Sequence, residues 1–292
     1  MGLINEKLQQ AITKADLAFE AIKVPCAYND YNGNYRVFGN RFVTTRKDNG
    51  HPFEVVSSAY KIRQHVESFN FLEDLGVVDI TKCDSVNYGA RMIIQAKLPN
   101  NLLLENGDEI GRYITCVNSH DRSSSSVITI SPIRFKCMNQ FNMFTRSKGK
   151  DGWISIRHND QSDIKFSDIK KILGLIDNSF DKVVEQQNKL LEININRRNV
   201  SGYVRTLFCT KEELIAFEQK GANAFSNTKL TRLKNIVKCF NTGTGQSELE
   251  DNAYRFFNGI TYYLNHEVNN SPTALIEGTK TEIINNCYKL FI

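Results

Sequence analysis

Apolar residues recur at three- and four-residue spacings through residues 5–23, where Leu8, Ile12, Ala15, Phe19 and Ile22 share one face of a predicted helix that Pro25 stops. Residues 36–46 instead alternate aromatic or aliphatic with polar side chains. Lys47, Asp48, Asn49 and Gly50 then supply a turn, and residues 53–57 resume an apolar strand, so a β-hairpin is predicted. Helical spacing returns over 59–76 through Tyr60, Ile62, Val66, Phe69, Leu72 and Leu75, with Gly76 placed as a C-cap. Three strands follow at 84–98, 111–118 and 126–133, the first of them bulged or broken at Gly89.

Beyond residue 163 the pattern is helical. Ile169, Ile172, Leu173, Ile176, Phe180, Val183, Val184, Leu190 and Leu191 mark one long amphipathic helix. Further helices are predicted at 212–220, 229–240, 249–266 and 281–290. The fold class expected is α+β: an antiparallel sheet domain with packed helices over 1–146, a linker or protruding hairpin at 147–163, and a mainly helical region at 164–292.

Composition narrows the classes. With 41% hydrophobic and 24% charged residues and a net charge of +5, the chain of 292 residues folds rather than staying disordered. No apolar run reaches membrane-spanning length and residues 1–20 have no apolar signal core, so a cytoplasmic protein without membrane contact is expected. Seven scattered cysteines without a C-x-x-C pair read as free thiols, and no metal or other cofactor is expected.

Charge is local. Arg122, Arg134, Lys136, Arg146, Lys148, Lys150 and Arg157 face a single acid, Asp151, across 122–157. Residues 189–238 hold ten cations, from Lys189 to Lys238, against Glu192, Glu212, Glu213 and Glu218. Residues 1–144 are close to balance. Aromatic residues (Phe135, Phe141, Phe144, Trp153, Tyr203, Phe208) lie among these cations, a mixture suited to single-stranded nucleic acid: cations follow phosphates and rings stack on bases.

Asn118, Ser119, His120 and Asp121 sit between two strands. They form either a hairpin tip held by side-chain bonds to its backbone or, with Cys137 as nucleophile, a hydrolytic site; adjacent His and Asp on an extended chain point apart, which disfavours the second. Thr242-Gly243-Thr244-Gly245 lacks the Gly-Lys-Ser/Thr ending of a phosphate loop. Asn252 to His266 carries an apolar stripe at helical spacing.

The block Asn118-Ser119-His120-Asp121, then Thr129, Pro132-Ile133-Arg134, Cys137 and Asn139, resembles that of the phage/plasmid-like protein family, a domain-of-unknown-function group. Val55 to Tyr60 and Asn252 to His266 resemble its flanking segments, while Arg122 stands where the family has glycine, and Tyr262 and Asn265 where it has acids. The resemblance implies a phage or mobile-element origin. Three strands leading into a helix are also similar in outline to the core of single-strand annealing proteins, an analogy of topology only.

The function expected is single-stranded DNA binding, in annealing, recombination or replication, by a homo-oligomer. Arg122, Arg134, Lys136, Arg146, Lys148, Lys150 and Arg157 would contact phosphate, with Trp153, Phe135 and Phe141 as stackers. The alternative is a protein inhibitor or scaffold acting on host machinery. A hydrolase using His120 and Asp121 ranks last, and no catalytic residue is assigned.

Overall fold

The helical period at the N-terminus ends early because the chain turns left-handed. Helix α1 (Leu3–Lys14) buries Ile4, Leu8 and Ile12, and Asp16 then takes φ 55° while Leu17 N–H reaches back to Ile12 O. Ile22 and Val24, β-branched and flanking no helix signal, go into strand β1 (Ala21–Asn29) instead. The computed structural model describes residues 2–134, 139–140, 153–156, 166–268 and 279–292.

The remaining strands are β2 (Tyr35–Arg46), β3 (Pro52–Ser57), β4 (Asp79–Val86), β5 (Arg91–Lys97), β6 (Leu102–Leu103), β7 (Glu109–Gly111), β8 (Tyr113–Ser119), β9 (Ser126–Ile130), β10 (Ile133–Arg134), β11 (Asn139–Gln140) and β12 (Trp153–Ile156). The helices are α2 (Phe166–Glu192), α3 (Val200–Phe208), α4 (Lys211–Lys220), α5 (Asn227–Thr242), α6 (Ala253–Tyr262) and α7 (Thr279–Lys289). All pairing in the sheets is antiparallel, so the fold is α+β.

The chain divides into two compact units that do not follow the contiguous boundaries expected from sequence. One holds Met1–Pro99, Tyr113–Ile130 and Lys148–Asp177; the other holds Asn100–Arg112, Ser131–Ser147 and Asn178–Ile292. The reason is strand pairing: the β6–β7 hairpin pairs with β10, whereas β8 and β9, which alternate with them in sequence, pair with β5 and β12.

In the first unit, sheet order is β1-β2-β3 and β12-β9-β8-β5-β4. Every residue of β8 and β9 is buried, which requires cover on both faces and explains why their sequences do not alternate. The predicted helix at 59–76 is instead irregular backbone over 60–64 followed by turns, with one 3-10 turn at Asn70–Leu72. Side chains from elsewhere take its backbone groups: Gln9 donates to Val66 O at 2.8 Å, and Asn118 to Arg63 O at 3.0 Å. Phe69, Leu72 and Leu75 are buried all the same, and Gly76, at φ 74°, still ends the segment. Gly89 is the turn of the β4–β5 hairpin, with Tyr88 and Gly89 both at positive φ. A Cβ there would lie 2.6 Å from the Phe19 ring.

In the second unit, β6, β7, β10 and β11 make a sheet of very short strands, and α3, α5, α6 and α7 pack around Phe240, Phe256, Phe257, Ile236 and Val204. Asn252, predicted inside a helix, is its N-cap: its side chain accepts from Arg255 N–H. Helix α6 continues as a π-helical turn over Tyr263–Glu267. No helix among the described residues is long and apolar enough to cross a membrane. Their six cysteines are free thiols, and burial pushes Cys239 up to about 11 and Cys83 up to about 12, so neither is a thiolate at neutral pH.

Candidate nucleic-acid interface

The motif block of strand β8 and its following loop lies inside the first unit. Asn118 donates to Arg63 O and to His65 Nδ1 at 3.1 Å, and its Oδ1 accepts from Ser126 Oγ at 2.8 Å. Because Nδ1 of His65 accepts, Nε2 carries the proton and donates to Gly89 O at 2.9 Å, which makes this a neutral imidazole. The His120 ring is fully buried, its centroid 4.0 Å from that of His65 and stacked on Phe53 at 5.8 Å. Its backbone is tied on both sides, N–H to Ala90 O and O to Thr44 Oγ1.

Ser119 Oγ bonds both Ser124 O and Ser124 N–H, and Asp121 accepts from Ser123 N–H at 2.9 Å. Ser119 and Asp121 thus hold the loop backbone as a hairpin tip, whereas Asn118 faces inward. Arg122 takes φ 59° at the tip and stays exposed, donating to Val55 O at 3.3 Å.

Arg134 is not a phosphate contact. It is fully buried in the second unit, its Nε bonded to Asp108 Oδ2 and its Nη2 to Gly245 O at 3.4 Å. Tyr254 donates to the same Asp108 oxygen at 2.8 Å; burial and that carboxylate hold its hydroxyl far above its usual range. A guanidinium whose charge is neutralised by a carboxylate inside the core has no charge to offer a polyanion. Trp153 opens β12, its backbone in register with Thr129. Lys136, Arg146, Lys148, Lys150 and Arg157, with Phe135, Phe141 and Cys137, lie outside the described residues.

The second basic stretch reaches the surface. Thr210 and Glu213 form a capping box that starts α4, turning the chain sharply after α3 and bringing Phe217 beside Arg205. The Arg205 guanidinium lies 4.2 Å over the Phe217 ring, which stacks on Phe225 at 5.5 Å. On one side of this pair is a groove of about 520 Å³ lined by Arg198, Tyr203, Thr206 and Glu218. On the other is an apolar one of about 400 Å³ with Val204, Phe225, Leu233 and, at its edge, Lys234. Arg232, Lys234 and Lys238 of α5 are exposed, and Arg232 lies 5.4 Å over Phe208. Lys229 is spent internally, bonding Phe208 O and Glu213.

Sequence reasoning missed Asp108, which lies between the strands predicted at 84–98 and 111–118, and Tyr254, which falls inside the helix predicted at 249–266. It also passed over the Arg205–Phe217 pair, whose signal was the Thr-x-x-Glu box at the start of α4. Among the described residues no three His, Cys, Asp or Glu side chains converge as a metal site requires. No curated protein and no solved structure matches the chain. The Arg134–Asp108–Tyr254 centre, the His120 ring with Phe53 and His65, and the surface groove lie within residues 52–285, which match the model of the family described as Domain of unknown function (DUF932), and the chain belongs to that family.

Proposed function

We propose that the chain binds single-stranded DNA, as an annealing or replication accessory protein of a phage or mobile element, working as a homo-oligomer. The observation that carries this reading is the Arg205–Phe217 stack between two grooves, with Arg198, Arg232 and Lys234 exposed around it. The Phe217 ring is itself taken up by Arg205 and Phe225, but it holds the guanidinium plane at the groove, where that plane can neutralise a phosphate or stack on an unpaired base. The net charge of +5 favours a polyanion in the same sense. The phage association rests on the motif resemblance alone.

Fluorescence anisotropy with a labelled single-stranded oligonucleotide tests the reading. If about four phosphates are neutralised, affinity falls about 50-fold between 50 and 200 mM salt. Reversing Arg198 and Lys234 to Glu weakens binding and flattens that slope. Undetectable or salt-independent binding overturns the reading. The apolar groove favours a second one, a scaffold or inhibitor that docks a host protein; it predicts a co-purifying partner and DNA affinity indifferent to the charge reversal.

A further inference from the structure

Strand β3 pairs with β2 only over Arg41 to Thr45. Past that point β1 and β2 continue alone, Ala27, Tyr28 and Asn29 facing Val37, Arg36 and Tyr35. The turn that closes them is well made. Asp30 accepts from the backbone N–H groups of Asn32 and Asn34, and Arg36 Nε bonds its other oxygen at 3.1 Å. Every residue from 31 to 41 is exposed. This arm precedes Pro52, outside the span that matches the family.

What the arm exposes is unusual for a surface ribbon. Tyr31 is 96% exposed, Tyr35 71%, and Tyr28 and Phe38 49% each. Tyr28, Arg36 and Phe38 share one face, with the Tyr28 and Phe38 ring centroids 5.0 Å apart, while Tyr35 and Val37 occupy the other. A two-stranded ribbon gains little from its own pairing, so rings left in water on both faces mark a surface for a ligand.

Charge selects the ligand. Arg36 and Arg41 stand against the single carboxylate of Asp30, which its turn and Arg36 already engage, while Lys23 at the base of the arm is held on Ser58 O and Tyr60 O. A second copy docking arm to arm would set these cations against their own equivalents. A single-stranded nucleic acid neutralises them and supplies flat apolar bases for the rings. We propose that the β1–β2 arm is a binding element for single-stranded nucleic acid, stacking bases on Tyr28, Tyr31, Tyr35 and Phe38, separate from the groove beside α3–α5.

This inference rests on the reading that the chain takes nucleic acid, and the test separates the two. The full chain is titrated with a single-stranded oligonucleotide carrying 2-aminopurine, at two salt concentrations, as wild type, as Y28A/Y31A/Y35A, as Y28F/Y31F/Y35F and as R198E/K234E. Loss of even one stacked base lowers affinity at least about fivefold. The alanine variant therefore binds more weakly, loses the 2-aminopurine quench and keeps the wild-type salt slope, because no cation is removed. The phenylalanine variant restores affinity and quench. R198E/K234E keeps the quench and loses slope.

Wild-type affinity and quench in the alanine variant overturn the arm inference and leave the functional reading standing. Absence of binding by wild type removes both. If the alanine variant instead loses only self-association in analytical ultracentrifugation, the arm's ligand is a second copy and the inference falls. The substituted side chains are exposed, so an unchanged thermal midpoint verifies the fold of each variant.

Discussion

At the scale of single residues, two arginines from the two basic stretches do opposite things. Arg134 is fully buried against Asp108, and Arg205 lies over an aromatic ring at a groove. Removing one member of a buried pair strands the other charge, at a cost of about 3–5 kcal/mol, whereas replacing both with apolar groups of similar size is close to neutral. Arg134→Met and Asp108→Asn are each expected to lower the urea midpoint sharply, and R134M/D108L/Y254F, which also removes the hydroxyl that Asp108 accepts from, to recover most of it. Single variants that unfold like wild type would show that the pair contributes nothing to the fold. Neither partner could be identified as core from its neighbours in sequence: Asp108 follows Asn106 and Gly107 in a polar turn, and Tyr254 bonds it from 146 residues away. His120 illustrates the same limit. Its motif was visible, but its burial depends on Phe53 and His65, contributed by a different strand and a turn segment.

Elements succeed or fail by what lies beside them. Gly259 of α6 meets α5 so closely that a Cβ would lie 2.8 Å from Phe240 Cα. Alanine in a helix ordinarily gains about 1 kcal/mol over glycine. Here overpacking against backbone, which cannot rotate aside, costs about 1–3 kcal/mol and outweighs that gain. Gly174 of α2 is the control, exposed with nothing within 4 Å of its would-be Cβ. Thermal melts are expected to show G259A below wild type and G174A above it; the same shift in both would refute the close-approach account. The long α2 and the helices α4, α5 and α7 were legible in the sequence because their period is a local property. The 59–76 segment was not, because its apolar spacing fits a helix while its backbone bonds are taken by Gln9 and Asn118 from other elements.

At the scale of the whole molecule, acid sensitivity follows from carboxylates that the fold holds ionised. Asp251 is hydrogen-bonded by Arg197 and also paired with Arg255, which lowers it below its usual 3.8. A carboxylate lowered by folding stabilises the native state above its unfolded value, and that contribution is lost as pH falls through the folded value. Asp251→Asn is therefore less stable than wild type at pH 7, and the gap closes as acid takes the pH below the usual carboxylate range and through the lowered folded value. Urea unfolding at several pH values checks this; a gap that persists unchanged in acid assigns the effect to something other than ionisation. Asp16 and Asp48, both lowered by Arg46, act in the same direction.

Sequence periodicity determined the α+β class, the hairpin of β2 and β3, the helical second half and the concentration of cations in 189–238, because each depends on neighbours a few positions away. Tertiary structure alone decided that the chain divides into interleaved units, that Arg134 and His120 are internal, that Arg205 meets Phe217, and that the aromatic arm stands in solvent. Whether a polar or charged group is buried or offered to a ligand depends on which distant partner reaches it. Chain spacing carries no record of that partner.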